Sequence, residues 1–126
     1  PTYNPQMTIG VPYVSGGGNS GEVTSGVQKI QTKNTGTRYP RSIQKFKRET
    51  GLHPTQKPVA LLEYLIKTYT QESETVLDFT AGSMSTAIAC INTNRKGIMI
   101  EKDDHYFKVG SERVAQALRE RGNNNI

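Results

Sequence analysis

Two apolar runs in the second half of the chain end in acidic residues. Thr75-Val76-Leu77 leads into Asp78 and then into the small residues Ala81-Gly82-Ser83, while Gly97-Ile98-Met99-Ile100 ends at Glu101. Small residues after a strand let the backbone approach a ligand and leave the amides of the next helix free to bind it. An acid that ends the following strand can accept hydrogen bonds from ribose hydroxyls. Structural βαβ units share this pattern, and a helix-capping role is the alternative for Glu101.

A third stretch of mixed chemistry precedes these runs. His53-Pro54-Thr55-Gln56-Lys57-Pro58 predicts a rigid turn that opens a helix, with Pro58 at the first helical position. The helix that follows has apolar residues at helical spacing, which predicts one buried face. These residues are Leu61, Leu62, Leu65, Ile66 and Tyr69.

The order of predicted elements indicates an α/β protein. Buried strands are predicted over 75–79 and 97–100, and further helices over 85 to about 94 and 103 to about 121. Alternating polarity over 41–46 predicts one more, half-buried strand. Strands that alternate with helices form parallel sheets, which bind ligands at the carboxyl ends of their strands. Asp78 and Glu101 are expected at two such ends.

The motif order closely resembles the C-terminal, cofactor-binding half of β-class amino-DNA methyltransferases, the adenine-N6 and cytosine-N4 enzymes, including phage-encoded ones. The resemblance rests on residues 53–58, on Val76-Leu77-Asp78 with Gly82-Ser83, and on residues 100–107. It implies a partial Rossmann-like fold of S-adenosylmethionine (SAM) methyltransferases, with about three parallel strands, three helices and an irregular N-terminal arm. We expect a flexible, Gly/Ser-rich arm over 1–37, the α/β domain over 38–121 and a frayed tail over 122–126.

Carried over by position, the resemblance implies a SAM pocket. Asp78, Gly82 and Ser83 would lie under the methionine moiety, and Glu101 would hold the ribose. Four residues of the turn would border the pocket: His53, Thr55, Gln56 and Lys57. Two of these have alternatives, because Lys57 also belongs to a basic stripe and His53 could simply cap or pack beside the turn.

The sequence departs from the family at two points. No Asp/Asn/Ser-Pro-Pro-Tyr/Phe string occurs in it, so no catalytic residue is predicted for a reaction in which the family uses that motif to hold a flipped base. Met84 stands where the family has glycine, and Met99 replaces a small residue before Glu101. We expect these methionines to narrow or fill the pocket, which puts SAM binding in doubt; the alternative is that the loop tolerates them.

Charge indicates an acidic partner. The 126 residues include 16 Lys and Arg against 11 Asp and Glu, and the pI is about 9.5, which favours nucleic acid over a merely soluble basic protein. Eight basic residues and one acid, Glu49, lie within 28–57. The candidate nucleic-acid contacts are Lys29, Lys33, Arg38, Arg41, Lys45, Lys47 and Arg48. A solvated edge strand guarded by lysines is the alternative.

Other features limit the function classes. Cys90 is the only cysteine and the histidines are His53 and His105, so no metal site or disulfide is predicted. No membrane span or signal peptide is visible, and we expect a cytoplasmic protein, in the bacterial host cytoplasm if phage-encoded. A missing strand would leave a sheet edge open, so a partner protein or homo-oligomer is expected there.

Three hypotheses follow. The departures favour a non-catalytic, methyltransferase-derived binding protein that engages nucleic acid or a nucleoprotein defence complex, as an anti-restriction or anti-CRISPR-type inhibitor. The second is the SAM-binding half of a split DNA adenine-N6 methyltransferase, inactive alone, whose partner supplies the catalytic motif. The third is a truncated enzyme whose function belongs to its parent.

Overall fold

The computed structural model describes residues 1–16 and 31–124. The chain forms two compact units, a smaller one from Pro5–Ser42 and a larger one from Pro1–Asn4 with Ile43–Ile126. Lys29 and the glycine-rich tip after Gly16 lie outside the described residues. The division predicted at residue 37 and the frayed tail therefore stay predictions.

The smaller unit contains two short antiparallel strand pairs that the sequence did not predict. Strand β1 (Thr8–Ile9) pairs with β4 (Thr37–Arg38), and β2 (Tyr13–Ser15) pairs with β3 (Thr32–Asn34). The backbone turns into β4 at Gly36, whose φ of 107° favours glycine. A side chain there would also meet the Gly10 carbonyl oxygen, since an added Cβ would lie 2.6 Å from it.

The larger unit is a βαβ arrangement with a helix before it and another after it. In chain order it contains α1 (Val59–Tyr69), β5 (Thr75–Asp78), α2 (Ser85–Asn92), β6 (Lys96–Met99) and α3 (Asp104–Asn123). Strands β5 and β6 are parallel. The α/β class and the three helices are confirmed. The parallel sheet has two strands within the described residues, where about three were predicted.

The strand predicted over residues 41–46 is wrong. This segment has no regular structure, Ile43 is 75% exposed, and the Phe46 ring packs 5.7 Å from that of Tyr64. A strand needs a neighbour for its backbone hydrogen bonds, and alternating polarity does not provide one.

Helices α1 and α2 pack on one face of the sheet. Buried Ile66, Ala89 and Cys90 form one cluster, to which β5 contributes Val76 and β6 contributes Met99. A second cluster, built from Ala81, Met84 and Ala87, extends this core to Val114 of α3. The core thus lies between the helices and a single face of the sheet.

Among the residues that the structure describes, the strands predicted to be buried are therefore covered on one side only. Leu77 and Ile98, which face each other across the β5–β6 ladder, are more than half exposed. The predicted apolar face of α1 is also only partly covered, because Leu65 and Tyr69 are exposed. Parallel strands are normally buried on both faces.

Acidic side chains hold the starts of α1 and α3 in place. Pro58 is the N-cap of α1 rather than its first residue, and the Glu49 carboxylate accepts a hydrogen bond from the Val59 amide at 3.0 Å. Asp103 caps α3 by accepting from the Tyr106 amide at 3.0 Å. No helix within the described ranges is long and apolar enough to cross a membrane.

Candidate functional site

A cavity of about 430 Å³ opens where β5 and β6 end, and its size is within the range of roughly 300–1,000 Å³ common for ligand sites. All eight residues predicted to contact the cofactor line it: His53, Thr55, Gln56, Lys57, Asp78, Gly82, Ser83 and Glu101. Five more line it that were not predicted: Leu62, Thr80, Ala81, Ser85 and Thr86. The structure brings the candidate set together, and its role in binding a cofactor stays a prediction.

Asp78 organises the loop between β5 and α2. Its Oδ1 accepts from the Thr80 amide at 3.0 Å, and its Oδ2 accepts from the Thr86 hydroxyl at 2.5 Å. The Ala81 amide then donates to the Ile100 carbonyl at 2.9 Å, which ties the loop to the end of β6. The carboxylate thus holds both ends of the small-residue loop in place.

Glu101 closes the same loop from the next strand. Its Oε2 accepts from the Gly82 amide at 2.6 Å and its Oε1 from the Asp103 amide at 2.8 Å. Backbone donors, first Asp103 and then Gly82, hold the pKa of Glu101 below its usual value because they favour the ionised form. A carboxylate has about four acceptor positions, so Glu101 retains capacity for ligand hydroxyls.

His53 forms the wall opposite the loop. Its ring packs on Tyr106, with ring centroids 4.1 Å apart, and its Nδ1 accepts from the Thr55 amide at 3.1 Å. An amide can only donate, so the proton of the neutral ring is on Nε2. Gly82 has φ 52°, and a Cβ there would lie 3.4 Å from His53 Cδ2. The capping and packing alternative for His53 therefore holds in part, although the ring also lines the cavity.

The turn that carries Gln56 and Lys57 is held by its own side chains. Gln56 Oε1 accepts from the Leu52 amide at 3.2 Å, and its Nε2 donates to Glu49 at 3.4 Å. Lys57 is exposed at the cavity rim. Gln56 thus helps to hold the wall of the cavity in place, and Lys57 places a positive charge at the opening of the cavity.

An ion pair connects the turn on one side of the cavity to the loop after β5 on the other side. Arg113 of α3 donates to the Ser83 carbonyl at 3.1 Å and to the Ser85 hydroxyl at 3.0 Å, and its guanidinium lies 3.9 Å from the Glu49 carboxylate. Burial lowers the pKa of Arg113, and Glu49 opposes that shift. Because Glu49 also holds Gln56 and the start of α1, this pair joins the turn to the loop.

The expectation that the methionines fill the pocket is wrong. Met84 has φ 59° and ψ 36°, as its substitution for glycine implies, but its buried side chain packs in the core against α3 and does not line the cavity. Met99 also belongs to the core clusters. The left-handed backbone costs a side chain about 1 kcal/mol, which burial of the thioether chain offsets.

The candidate nucleic-acid contacts fall on both units. Lys33, Arg38 and Arg41 belong to the smaller unit, where Arg38 already donates to the Val11 carbonyl at 2.6 Å and to Asn34 and stacks 4.6 Å from the Tyr13 ring centroid. Exposed Lys45, Lys47 and Arg48 belong to the larger unit. Arg38 therefore has a structural role, and the nucleic-acid role of this set stays a prediction.

Sequence reasoning missed several site residues. The Asp78–Thr80 spacing is typical of an Asx-turn and was a usable local signal for Thr80. Glu49 and Arg113 gave no such signal, because they lie 64 positions apart and meet only through the packing of α3 on the loop.

The sequence is similar to those of known DNA methyltransferases. A family model described as DNA methylase matches residues 8–112. DNA adenine methyltransferase YhdJ of Escherichia coli (strain K12) is 44% identical over 76 residues, which are 60% of this chain and 26% of that protein. Type II methyltransferase M2.LlaDCHI of Lactococcus lactis subsp. cremoris is 35% identical over 71 residues, which are 56% of this chain and 26% of that protein.

A solved structure shares the fold. The crystal structure of an M1.HpyAVI–SAM complex superimposes with a TM-score of 0.52 and 32% identity over 67% of this chain and 47% of that one. Over the matched part, the chain thus has the fold of SAM-dependent methyltransferases. The chain spans about a quarter of the length of the two curated relatives.

Proposed function

The chain belongs to the N6/N4 DNA methylase family, and we propose that it is the SAM-binding half of an amino-DNA methyltransferase. The proposal depends on one observation above others. Residues from the turn, from the loop after β5 and from the end of β6 line a single cavity, and they are the residues that the family resemblance assigns to SAM. The methionines that were expected to narrow or fill the pocket pack in the core and do not line the cavity.

The donors and acceptors of the cavity suit SAM. Glu101 provides acceptors for ribose hydroxyls, and the Gly82–Ser83 backbone allows close approach at the start of α2. Asp78 offers a carboxylate near the loop, suited to the ammonium of a methionine moiety. SAM supplies an activated methyl group when bound; this chain's residues bind and orient it.

Methyl transfer also needs a group that holds the target base. The 126 residues contain no Asp/Asn/Ser-Pro-Pro-Tyr/Phe string. The proposal therefore requires a second segment with that motif, in the same polypeptide or in another, before DNA is methylated.

Isothermal titration of SAM, with S-adenosylhomocysteine in parallel, tests the proposal. We expect micromolar binding, weakened about tenfold or more in Glu101→Gln because one ribose acceptor is lost. Glu112→Gln, on the exposed part of α3, is the matched control and should bind like the unchanged chain. Absence of binding at millimolar ligand would overturn the proposal.

The non-catalytic binding hypothesis keeps one supporting observation, the eight basic residues within 28–57. It predicts DNA binding that falls steeply with salt and a chain that does not bind SAM. Its phage origin and its anti-restriction or anti-CRISPR role stay hypotheses. The same titration distinguishes this hypothesis from the proposed function, since binding of SAM would contradict the expectation that the chain does not bind it.

A further inference from the structure

A second cavity of about 500 Å³ shares one lining residue, His53, with the candidate cofactor cavity. Its other lining residues come from the segment 48–54 and from the first turn of α3, and all of them belong to the larger unit. Its volume is within the range of roughly 300–1,000 Å³ common for ligand sites. The proposed function assigns no ligand to this second cavity.

Hydrogen-bond donors line the second cavity, and one of them carries a fixed positive charge. Arg48 contributes a guanidinium, His105 an imidazole and Thr50 a hydroxyl, and no Asp or Glu is among the described residues that line it. Within the part of the chain that the structure describes, none of these three side chains has a hydrogen bond or an ion pair. Donors that lack acceptors, in a cavity without carboxylates, suit an anion.

The aromatic rings of the second cavity pack on one another. The Tyr106 ring centroid lies 4.1 Å from that of His53 and 5.3 Å from that of His105. These contacts restrict both imidazoles, so less side-chain freedom is lost when a ligand binds. Asp103 and Asp104 precede His105 in the chain, but neither lines the cavity, and Asp103 is engaged as the cap of α3.

We propose that the second cavity binds a phosphate group, carried either by a DNA strand or by a free phosphorylated molecule. Arginine and hydroxyl side chains are among the donors that proteins direct at phosphate oxygens, and a guanidinium can donate two parallel hydrogen bonds to them. Exposed Lys45 and Lys47 precede Arg48 in the chain and add positive charge to the same segment. This inference goes beyond the proposed function, because it requires neither SAM binding nor methyl transfer.

The imidazole signals of the chain provide a direct test by NMR. The sequence contains two histidines, and both line the second cavity. Inorganic phosphate is titrated into the ¹⁵N-labelled chain at constant pH and ionic strength, with chloride and acetate as comparison anions, and His105→Gln assigns the two signals. Arg48→Gln removes the guanidinium from the cavity. Arg119→Gln, on the exposed part of α3 and outside the cavity, removes the same charge and is the matched control.

We expect millimolar phosphate to shift the His105 signal saturably, with a smaller change at His53, and chloride and acetate to produce no saturable shift. Arg48→Gln should weaken phosphate binding about fivefold or more, because a charge-assisted contact is lost, whereas Arg119→Gln should bind like the unchanged chain. Arg48 is exposed, so its replacement should leave the amide spectrum of the folded chain otherwise unchanged.

A short DNA duplex, titrated in the same way, distinguishes the two sources of phosphate. DNA that shifts both imidazole signals at lower concentration, and that phosphate displaces, identifies a DNA strand as the ligand. DNA that leaves the signals unchanged, while phosphate shifts them, identifies a free phosphorylated molecule.

Two results would overturn the proposal. One is a phosphate titration that shifts the imidazole signals no more than chloride or acetate does. The other is equal weakening of phosphate binding by Arg48→Gln and Arg119→Gln, because net charge and not the cavity would then attract the anion. SAM titration tests the proposed function with a different ligand in the other cavity, so either proposal can fail while the other stands.

Discussion

The side chain of Met84 fills the space that Gly110 leaves open on α3. A Cβ placed on Gly110 would lie 2.6 Å from Met84 Cγ and 3.2 Å from the Gly82 carbonyl oxygen. Helix α3 can therefore approach the cofactor loop because one residue is large and the other has no side chain. This pairing explains how methionine is accommodated at a left-handed position beside the cavity.

Gly110→Ala should destabilise the protein, although alanine is the better helix former. The helix propensity gain is about 1 kcal/mol, whereas overpacking against Met84 and the loop backbone costs about 1–3 kcal/mol. Urea denaturation measures the difference. Gly122→Ala, in the same helix with open space around it, is the control and should be neutral or stabilising. A stabilising Gly110→Ala would contradict the packing.

Met84→Gly should cost stability and leave the cavity as it is. The change relieves about 1 kcal/mol of backbone strain but removes a buried side chain worth about 2–5 kcal/mol. SAM affinity should stay within about threefold, because Met84 does not line the cavity. Titration of both proteins gives the answer, and a tightening of about tenfold or more would mean that methionine does obstruct the ligand.

Arg113→Gln should loosen both walls of the cavity. The buried Ser83 carbonyl would lose its side-chain donor and Glu49 its ion-pair partner, which together cost about 1–3 kcal/mol. Hydrogen exchange should speed up at the amides of residues 81–85 and of Gln56, Lys57 and Val59. Arg113→Lys should recover only part of the loss, because an ammonium does not reproduce the guanidinium fork.

The control for this pair is Arg119→Gln, which removes the same charge from an exposed position of α3. It should leave exchange in both segments unchanged. Equal acceleration in the two variants would show that net charge, and not the link between the walls, sets the protection.

Glu101 should contribute stability that disappears in acid. Its pKa is held below the ordinary value of 4.5 in the folded protein, so its contribution is fully present above that value and is lost as pH falls through the folded pKa. The Tm difference between the unchanged chain and Glu101→Gln should therefore be largest near neutral pH and shrink below about pH 4. Thermal scans across that range measure it, and a difference that grows in acid would contradict the hydrogen bonds to Gly82 and Asp103.

Local patterns were sufficient for much of the site. Asp78 and Glu101 were placed at strand ends because a polar residue that terminates an apolar run has a defined position in a parallel sheet. Eight of the thirteen residues that line the cavity were predicted, as residues that the family resemblance implies. The strand over 41–46 was wrongly predicted, because polarity alternates there without a neighbouring strand to receive its hydrogen bonds.

The helices α1 to α3, the two parallel strands and the loop that joins Asp78 to α2 were predictable from the sequence, since they depend on periodicity and on residues close in the chain. The direction of the Met84 side chain, the contact of Arg113 with Glu49 and the exposure of one sheet face within the described residues follow from the tertiary structure alone. These depend on contacts between distant residues, and the direction of a side chain is fixed by the partner that packs against it.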